Sequence, residues 1–225
     1  GLQRRELGED SIIGLDYTYT QQGLLKGINQ PSLQNNEDPG RDGDAISIHP
    51  EFASDSFAME INYYSGDFAH ATSTLDTGNP ITLRGPPLFD GNIRSITTSI
   101  GKKSTGGTNF FEQPTGEVYT YDQLGRLIAS DLKPYDTIGQ HYTSTGDYGT
   151  RYSYDPSGNI DTLIRQAESG VGGSKMDSLH YHYTGGTNQL DRVTDAVTGA
   201  PRVTDIASGQ SAGNYKYDPS GNLIS

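Results

Sequence analysis

Short bursts of alternating apolar and polar residues, separated by turns that carry glycine, run along this chain. The clearest stretches align without gaps: Tyr119-Thr120-Tyr121-Asp122-Gln123-Leu124-Gly125-Arg126-Leu127-Ile128, Tyr152-Ser153-Tyr154-Asp155-Pro156-Ser157-Gly158-Asn159-Ile160 and Tyr215-Lys216-Tyr217-Asp218-Pro219-Ser220-Gly221-Asn222-Leu223-Ile224. A period of two places Tyr152 and Tyr154 on one face of a strand and Ser153 on the other. Asp155-Pro156-Ser157-Gly158 then gives each position of a type I turn its preferred residue. The carboxylate comes first, where it accepts backbone N–H groups, and proline follows with φ preset. Glycine is fourth, where a left-handed backbone closes the hairpin as a bulge. The same reading makes Asp122 and Gly125, and Asp218 and Gly221, turn positions, with return strands starting at Leu127, Ile160 and Leu223.

Looser copies follow the same plan. They are Tyr17-Thr18-Tyr19 with Gly23-Leu24-Leu25, Tyr63-Tyr64-Ser65-Gly66, Phe89-Asp90-Gly91-Asn92-Ile93, and Tyr181-His182-Tyr183 with Asn188-Gln189-Leu190. Counted from the second aromatic of each copy, the spacing averages about 33 residues, a period typical of repeat architectures. No segment sustains a helical period. The pattern predicts an all-β fold of successive antiparallel hairpins forming a curved sheet. Residues 1–115 read as divergent lead-in repeats and 116–225 as regular ones. Gly- and Ser-rich stretches such as 167–174 read as outer loops, and Gln30 to Asp44 as an insertion. The chain stops on a return strand at Gly221 to Ser225, where an open edge would be a liability, so the array is expected to continue in a longer parent protein.

Composition adjusts this picture. Only 32% of the 225 residues are hydrophobic, Tyr supplies 15 of them, and there are 29 glycines. The expectation is a sheet with one modestly apolar face and a large wet surface. The net charge of −12 disfavours nucleic acid and anionic membrane surfaces as partners. Without cysteine there is neither a disulfide framework nor a Cys-ligated metal site. No apolar run is long enough to insert in a membrane as a helix.

Taken together, the Tyr-Xaa-Tyr-Asp units and their Gly-closed turns resemble the tyrosine-aspartate repeat family, also called Rhs repeats. Leu15 to Asn29 and Phe57 to Tyr64 resemble the region leading into the repeats of large secreted bacterial members. The resemblance implies a strip of a spiralling hollow shell that encloses a C-terminal effector in bacterial toxins and forms part of an adhesion receptor in the animal teneurins. It further implies a non-enzymatic wall segment, secreted or at the cell surface. Its partners would be the remaining repeats, another protein chain or an enclosed effector. An adhesive or glycan-binding surface is the alternative. Bacterial shells often end in a self-cleaving Asp-Pro-Xaa-Gly-Leu segment. Here Asp155 to Gly158 and Asp218 to Gly221 are followed by asparagine instead and stay in the repeat frame, so both read as turns.

Other motifs have plainer readings beside their functional ones. Gly209-Gln210-Ser211-Ala212-Gly213 matches a nucleophile elbow, but that motif requires a strand-to-helix turn and here runs into the strand at Tyr215. Gly170-Val171-Gly172-Gly173-Ser174-Lys175 lacks the Gly-Lys-Ser/Thr ending of a phosphate loop. Asp38, Asp42 and Asp44 are weak calcium candidates on a bendable loop, with Arg41 among them. His180 and His182 share a strand face but are too few to close a zinc site. The tyrosine ladder could stack on sugars, although cross-strand packing explains it without a ligand. No catalytic residue and no cofactor is expected.

Overall fold

The computed structural model describes residues 1–8, 13–31, 39–40, 55–64, 66–67, 83, 87–102, 110–111, 114–136, 138, 141–168, 175–197, 206 and 210–224. Among them there is no helix, and the strands pair antiparallel. The chain folds as two compact units. One comprises Gly1–Tyr119 with Leu132–Thr145, the other Thr120–Asp131 with Gly146–Ser225.

In the first unit β1 (Arg4–Leu7), β2 (Ile13–Tyr19), β3 (Leu25–Ile28), β4 (Phe57–Asn62) and β5 (Ser95–Lys102) pair in sequence order, all antiparallel. β6 (Phe110–Phe111) pairs with β5 on one path. The start of β7 (Thr115–Tyr121) pairs with β5 on another. β9 (His141–Tyr142) pairs with the end of β8 (Leu127–Asp136). In the second unit β10 (Thr150–Tyr154) joins the start of β8. β11 (Ile160–Gln166), β12 (Lys175–Tyr183) and β13 (Leu190–Asp195) follow in turn. The strands are rich in Tyr, Thr, Ile and Val, which suit a pleated, half-buried surface.

The interior is more polar than the expected modestly apolar face. In the first unit Ala58, Ile61, Tyr63, Leu83 and Tyr135 are buried, but so are Lys26, Asn29, Gln30, Glu60, Asn62, Asp67, Arg94, Ser95, Thr97 and Ser99. In the second unit Ala167, Leu179 and Val193 share the interior with Ser130, Asp177 and Asp195. Buried polar groups usually find hydrogen-bond partners, since an unpaired one is costly; here Gln30 Nε2 and Oε1, Glu60 Oε1 and Asn62 Nδ2 have none of normal geometry. Many of the others are short side chains bonded to backbone: Ser99 Oγ donates to the Pro31 carbonyl (2.6 Å), Ser95 Oγ to the Leu83 carbonyl (3.0 Å), and Asn29 Nδ2 to the Gly14 and Phe57 carbonyls (3.0 and 2.8 Å).

Candidate functional site

The repeated feature is the hairpin tip. At Asp155 the backbone N–H donates to the Asn159 carbonyl (2.9 Å) and the Gly158 N–H returns to the Asp155 carbonyl (3.0 Å). The carboxylate accepts the Asn159 backbone N–H and the Asn159 side-chain amide, each at 2.9 Å. Asp218 repeats this set with Asn222 (2.8 and 2.9 Å) and adds the Ser220 N–H at 2.9 Å. At Asp122 the partners are the Leu124 and Arg126 backbone N–H groups, both at 2.9 Å, and Arg126 Nε at 2.7 Å. Gly125, Gly158 and Gly221 have φ of 74°, 90° and 86°. The register slips by one residue after Ser153, so the turn closes through a bulge.

These accepted hydrogen bonds favour the charged form, so all three carboxyls are held below their ordinary range. The largest cause is the Arg126 backbone N–H at Asp122 and the asparagine side chain at Asp155 and Asp218. The residue four places after each aspartate thus anchors the turn, a role the turn pattern by itself did not assign. Two further tips use threonine: Thr20 Oγ1 accepts the Leu24 N–H (3.1 Å), and Thr184 heads a turn one residue longer.

Beside the tips at Asp155, Thr184 and Asp218 a tyrosine reaches back to the preceding hairpin, and Tyr63 makes a bond of the same kind. The Tyr154 hydroxyl donates to the Leu127 carbonyl (2.7 Å), Tyr183 to Ile160 (2.9 Å), Tyr217 to Leu190 (3.2 Å) and Tyr63 to Leu25 (3.0 Å). Every acceptor is the first residue of a return strand. Tips are also joined to one another. The Arg126 guanidinium lies 4.6 Å from the centre of the Tyr154 ring, and Asn159 Nδ2 donates to Asn188 Oδ1 at 3.1 Å. The ladder is therefore a set of directed backbone hydrogen bonds as well as aromatic packing.

Two copies differ from the pattern read in the sequence. Of Tyr63 and Tyr64, it is the buried Tyr63 that makes the backward bond, while Tyr64 packs on Phe89 with ring centres 4.9 Å apart. Phe89 to Ile93 is no hairpin of the regular kind. Its glycine follows the aspartate directly, Gly91 has φ 87°, and the segment joins β4 to β5 through the Leu88 N–H to Tyr63 and Arg94 N–H to Asn62 bonds.

The remaining motif residues are placed as follows. Gln210 Oε1 accepts the Val193 N–H (2.8 Å) and the Gly213 N–H donates to Asp191 (2.8 Å), so the segment holding exposed Ser211 braces β13. No helix follows it among the described residues. His180 is exposed, and His182 Nε2 lies 3.2 Å from Thr194 Oγ1. Among the described residues no three His, Asp or Glu side chains converge to hold a metal. Asp38, Asp42 and Asp44, and residues 170–174 of the glycine-rich loop, lie outside the described residues.

A second cluster, in the first unit, escaped the sequence reading. Lys26 Nζ donates to Asn62 Oδ1 (2.7 Å) and Asp67 Oδ1 (2.9 Å) and lies 3.5 Å from Glu60 Oε1. Lys26, Glu60, Asn62 and Asp67 are exposed by only 5%, 5%, 2% and 3%. Burial is the largest influence on Glu60 and holds its carboxyl above the ordinary range, against the lowering effect of Lys26. Lys26 reaches this face because it is the unpaired residue of the bulge between the Thr18–Gly27 and Tyr19–Leu25 pairs. Bulges re-aim side chains in this way.

No family model and no curated protein matches this sequence. Among solved structures, a crystal structure of TcdB2-TccC3-Cdc42 aligns at 14% identity over 94% of this chain and 12% of that one, with a TM-score of 0.28. A Tc holotoxin pore of Photorhabdus luminescens aligns at 12% identity over 98% of this chain and 11% of that one, also at 0.28. TcdB2-TccC3 without its hypervariable C-terminal region gives 14%, 94%, 12% and 0.28. The chain thus spans no more than 12% of the length of these matched chains. A TM-score of 0.28 defines no common architecture. What the fold does define is an all-β array of antiparallel hairpins, in which aspartates close the turns and tyrosines bond back to the preceding hairpin.

Proposed function

We propose that the chain is a non-enzymatic wall segment of a secreted bacterial repeat protein that encloses a cargo or toxin domain. The observation that supports this reading is the backward tyrosine bond. The hairpin at Asp155 takes the Leu127 carbonyl from the one before and offers that of Ile160 to the one after, and the hairpin at Thr184 does the same with Ile160 and Leu190. A sheet joined by such identical links can be lengthened without new chemistry, as a wall requires, since each unit contacts only its neighbours. The acidic composition and sparse aliphatics suit a sheet that leaves a large part of its surface in water.

Limited proteolysis of the full-length protein that carries this segment tests the reading. A wall predicts that the enclosed domain resists protease while the array is intact and becomes sensitive in a Tyr154→Phe/Tyr183→Phe variant. Equal sensitivity of that domain in both proteins overturns it. Glycan or cell binding that is lost with Tyr152→Ala or Tyr181→Ala, with the melting temperature kept, would favour the adhesive alternative.

A further inference from the structure

We propose that Lys26 and Asn62 form an intramolecular isopeptide bond between Nζ and Cγ, with Glu60 as the catalytic proton carrier. This is independent of the wall reading. A spontaneous amide of this kind needs a nucleophilic amine against a side-chain carboxamide, a carboxyl beside both, and exclusion of water. The β3–β4 pair brings these groups together. The amine lies 2.7 Å from Asn62 Oδ1 and 3.5 Å from Glu60 Oε1. Glu60 and Asn62 are two apart on β4, so they share a face. The bulge delivers Lys26 to that face from the neighbouring strand. All three are at least nine-tenths buried. Asn62 Nδ2, the leaving nitrogen, is buried and makes no hydrogen bond of normal geometry.

The step balances without any co-reactant. Nζ bonds to Cγ of Asn62, and the Cγ–Nδ2 bond breaks. Of the three protons on the Lys26 ammonium, one stays on the new amide and two pass by way of Glu60 to Nδ2, which leaves as ammonium. No electron changes hands. Glu60 suits the relay because it lies beside the amine and its burial favours the protonated form. Asp67 steadies the amine at 2.9 Å and accepts the Tyr63 N–H at 2.8 Å. As a carboxylate it is the poorer electrophile, since a resonance-stabilised anion repels the incoming lone pair.

Intact-mass spectrometry of the 225-residue chain tests this. The denatured parent should fall short of its sequence mass by one ammonia, about 17 Da, because amide formation expels the carboxamide nitrogen. Trypsin should fail to cut after Lys26, and a linked peptide pair holding Lys26 and Asn62 should appear. Lys26→Arg and Asn62→Ala should restore the full mass. Glu60→Gln, which keeps the side-chain shape, should retain the sheet circular dichroism of the parent and show the full mass. A parent of full mass after prolonged incubation in the folded state overturns the proposal. So does a deficit that persists in Lys26→Arg, which would mark a succinimide, or a loss of water with a Lys26–Asp67 link. A Glu60→Gln chain that still loses ammonia removes Glu60 from the reaction.

Discussion

Replacing Tyr183 by phenylalanine isolates one stitch. The ring is half-buried at the end of β12, and its hydroxyl donates to the Ile160 carbonyl at 2.9 Å. Phenylalanine keeps the ring and removes only the oxygen. A neutral hydrogen bond of this kind contributes about 1 kcal/mol net, because the unfolded chain satisfies the same groups with water. In a chain of this size that lowers the melting temperature by about 3 °C. Tyr154→Phe removes the equivalent bond to Leu127 at 2.7 Å, and Tyr154 faces Ile160, the acceptor of Tyr183, across the β10–β11 pair. The double variant therefore reads the coupling between neighbouring stitches, expected at about 0.5 kcal/mol or more. Tyr181 is the control, since its hydroxyl makes no hydrogen bond among the described residues, and Tyr181→Phe should melt within about 1 °C of the parent. Urea and thermal melts followed by circular dichroism read all of these chains. If Tyr183→Phe and Tyr181→Phe melt alike, the stitch contributes nothing and the argument for an extendable array loses its basis.

Other outcomes follow from the tips. Gly158 has φ 90° with nothing within 4 Å of where a Cβ would stand. Gly158→Val should thus destabilise by backbone strain alone, about 1–3 kcal/mol, and an unchanged melting temperature would contradict the turn geometry. The carboxyls of Asp122, Asp155 and Asp218 are depressed in the fold, so their contribution is present above the unfolded value, about 3.9, and is lost as pH falls through the folded one. Asp155→Asn should flatten the acid limb of a stability-versus-pH series. Glu60 has the opposite sign. Its raised carboxyl contributes fully below the unfolded value, about 4.3, and that contribution is lost as pH rises through the folded value, which Glu60→Gln should abolish. Ser211 sits in a brace on β13, so Ser211→Ala should leave hydrolysis of a generic ester at the parent's background; a Ser211-dependent rate would overturn that reading.

The hairpin tips were legible because their chemistry is local. Asp155, Gly158 and Asn159 fall within five residues, and turn preferences for aspartate and glycine act at that range. The tyrosine partners were not legible, since Tyr183 finds Ile160 at a distance of 23 residues through strand pairing. Nor could spacing decide between Tyr63 and Tyr64, because a one-residue shift in register exchanges the faces of a strand. The Phe89 copy misled because it shares the residue types of a tip while its glycine stands beside the aspartate instead of three places on. The Lys26 cluster was hidden for a related reason. By alternation Lys26 belongs to the face of Ile61, and only the bulge moves it to that of Glu60 and Asn62.

The polar interior explains how so few aliphatic residues hold a sheet of this length. Area burial is non-directional and tolerates slippage, whereas a hydrogen bond is satisfied in one register only. In the first unit Thr97, Ser95 and Ser99 are buried where a conventional sheet would carry valine or leucine, and the Ser95 and Ser99 hydroxyls end on named backbone carbonyls. Shifting β5 by one residue would leave those hydroxyls and carbonyls buried without partners, a loss that apolar side chains would not impose. The tips do the same at the hairpin ends, where a slipped register would separate Tyr154 from Leu127 and Asp155 from Asn159. Low apolar content is therefore consistent with a single well-defined register. The register is held by partner matching at the strand faces and tips, and each added hairpin carries its own share of that matching.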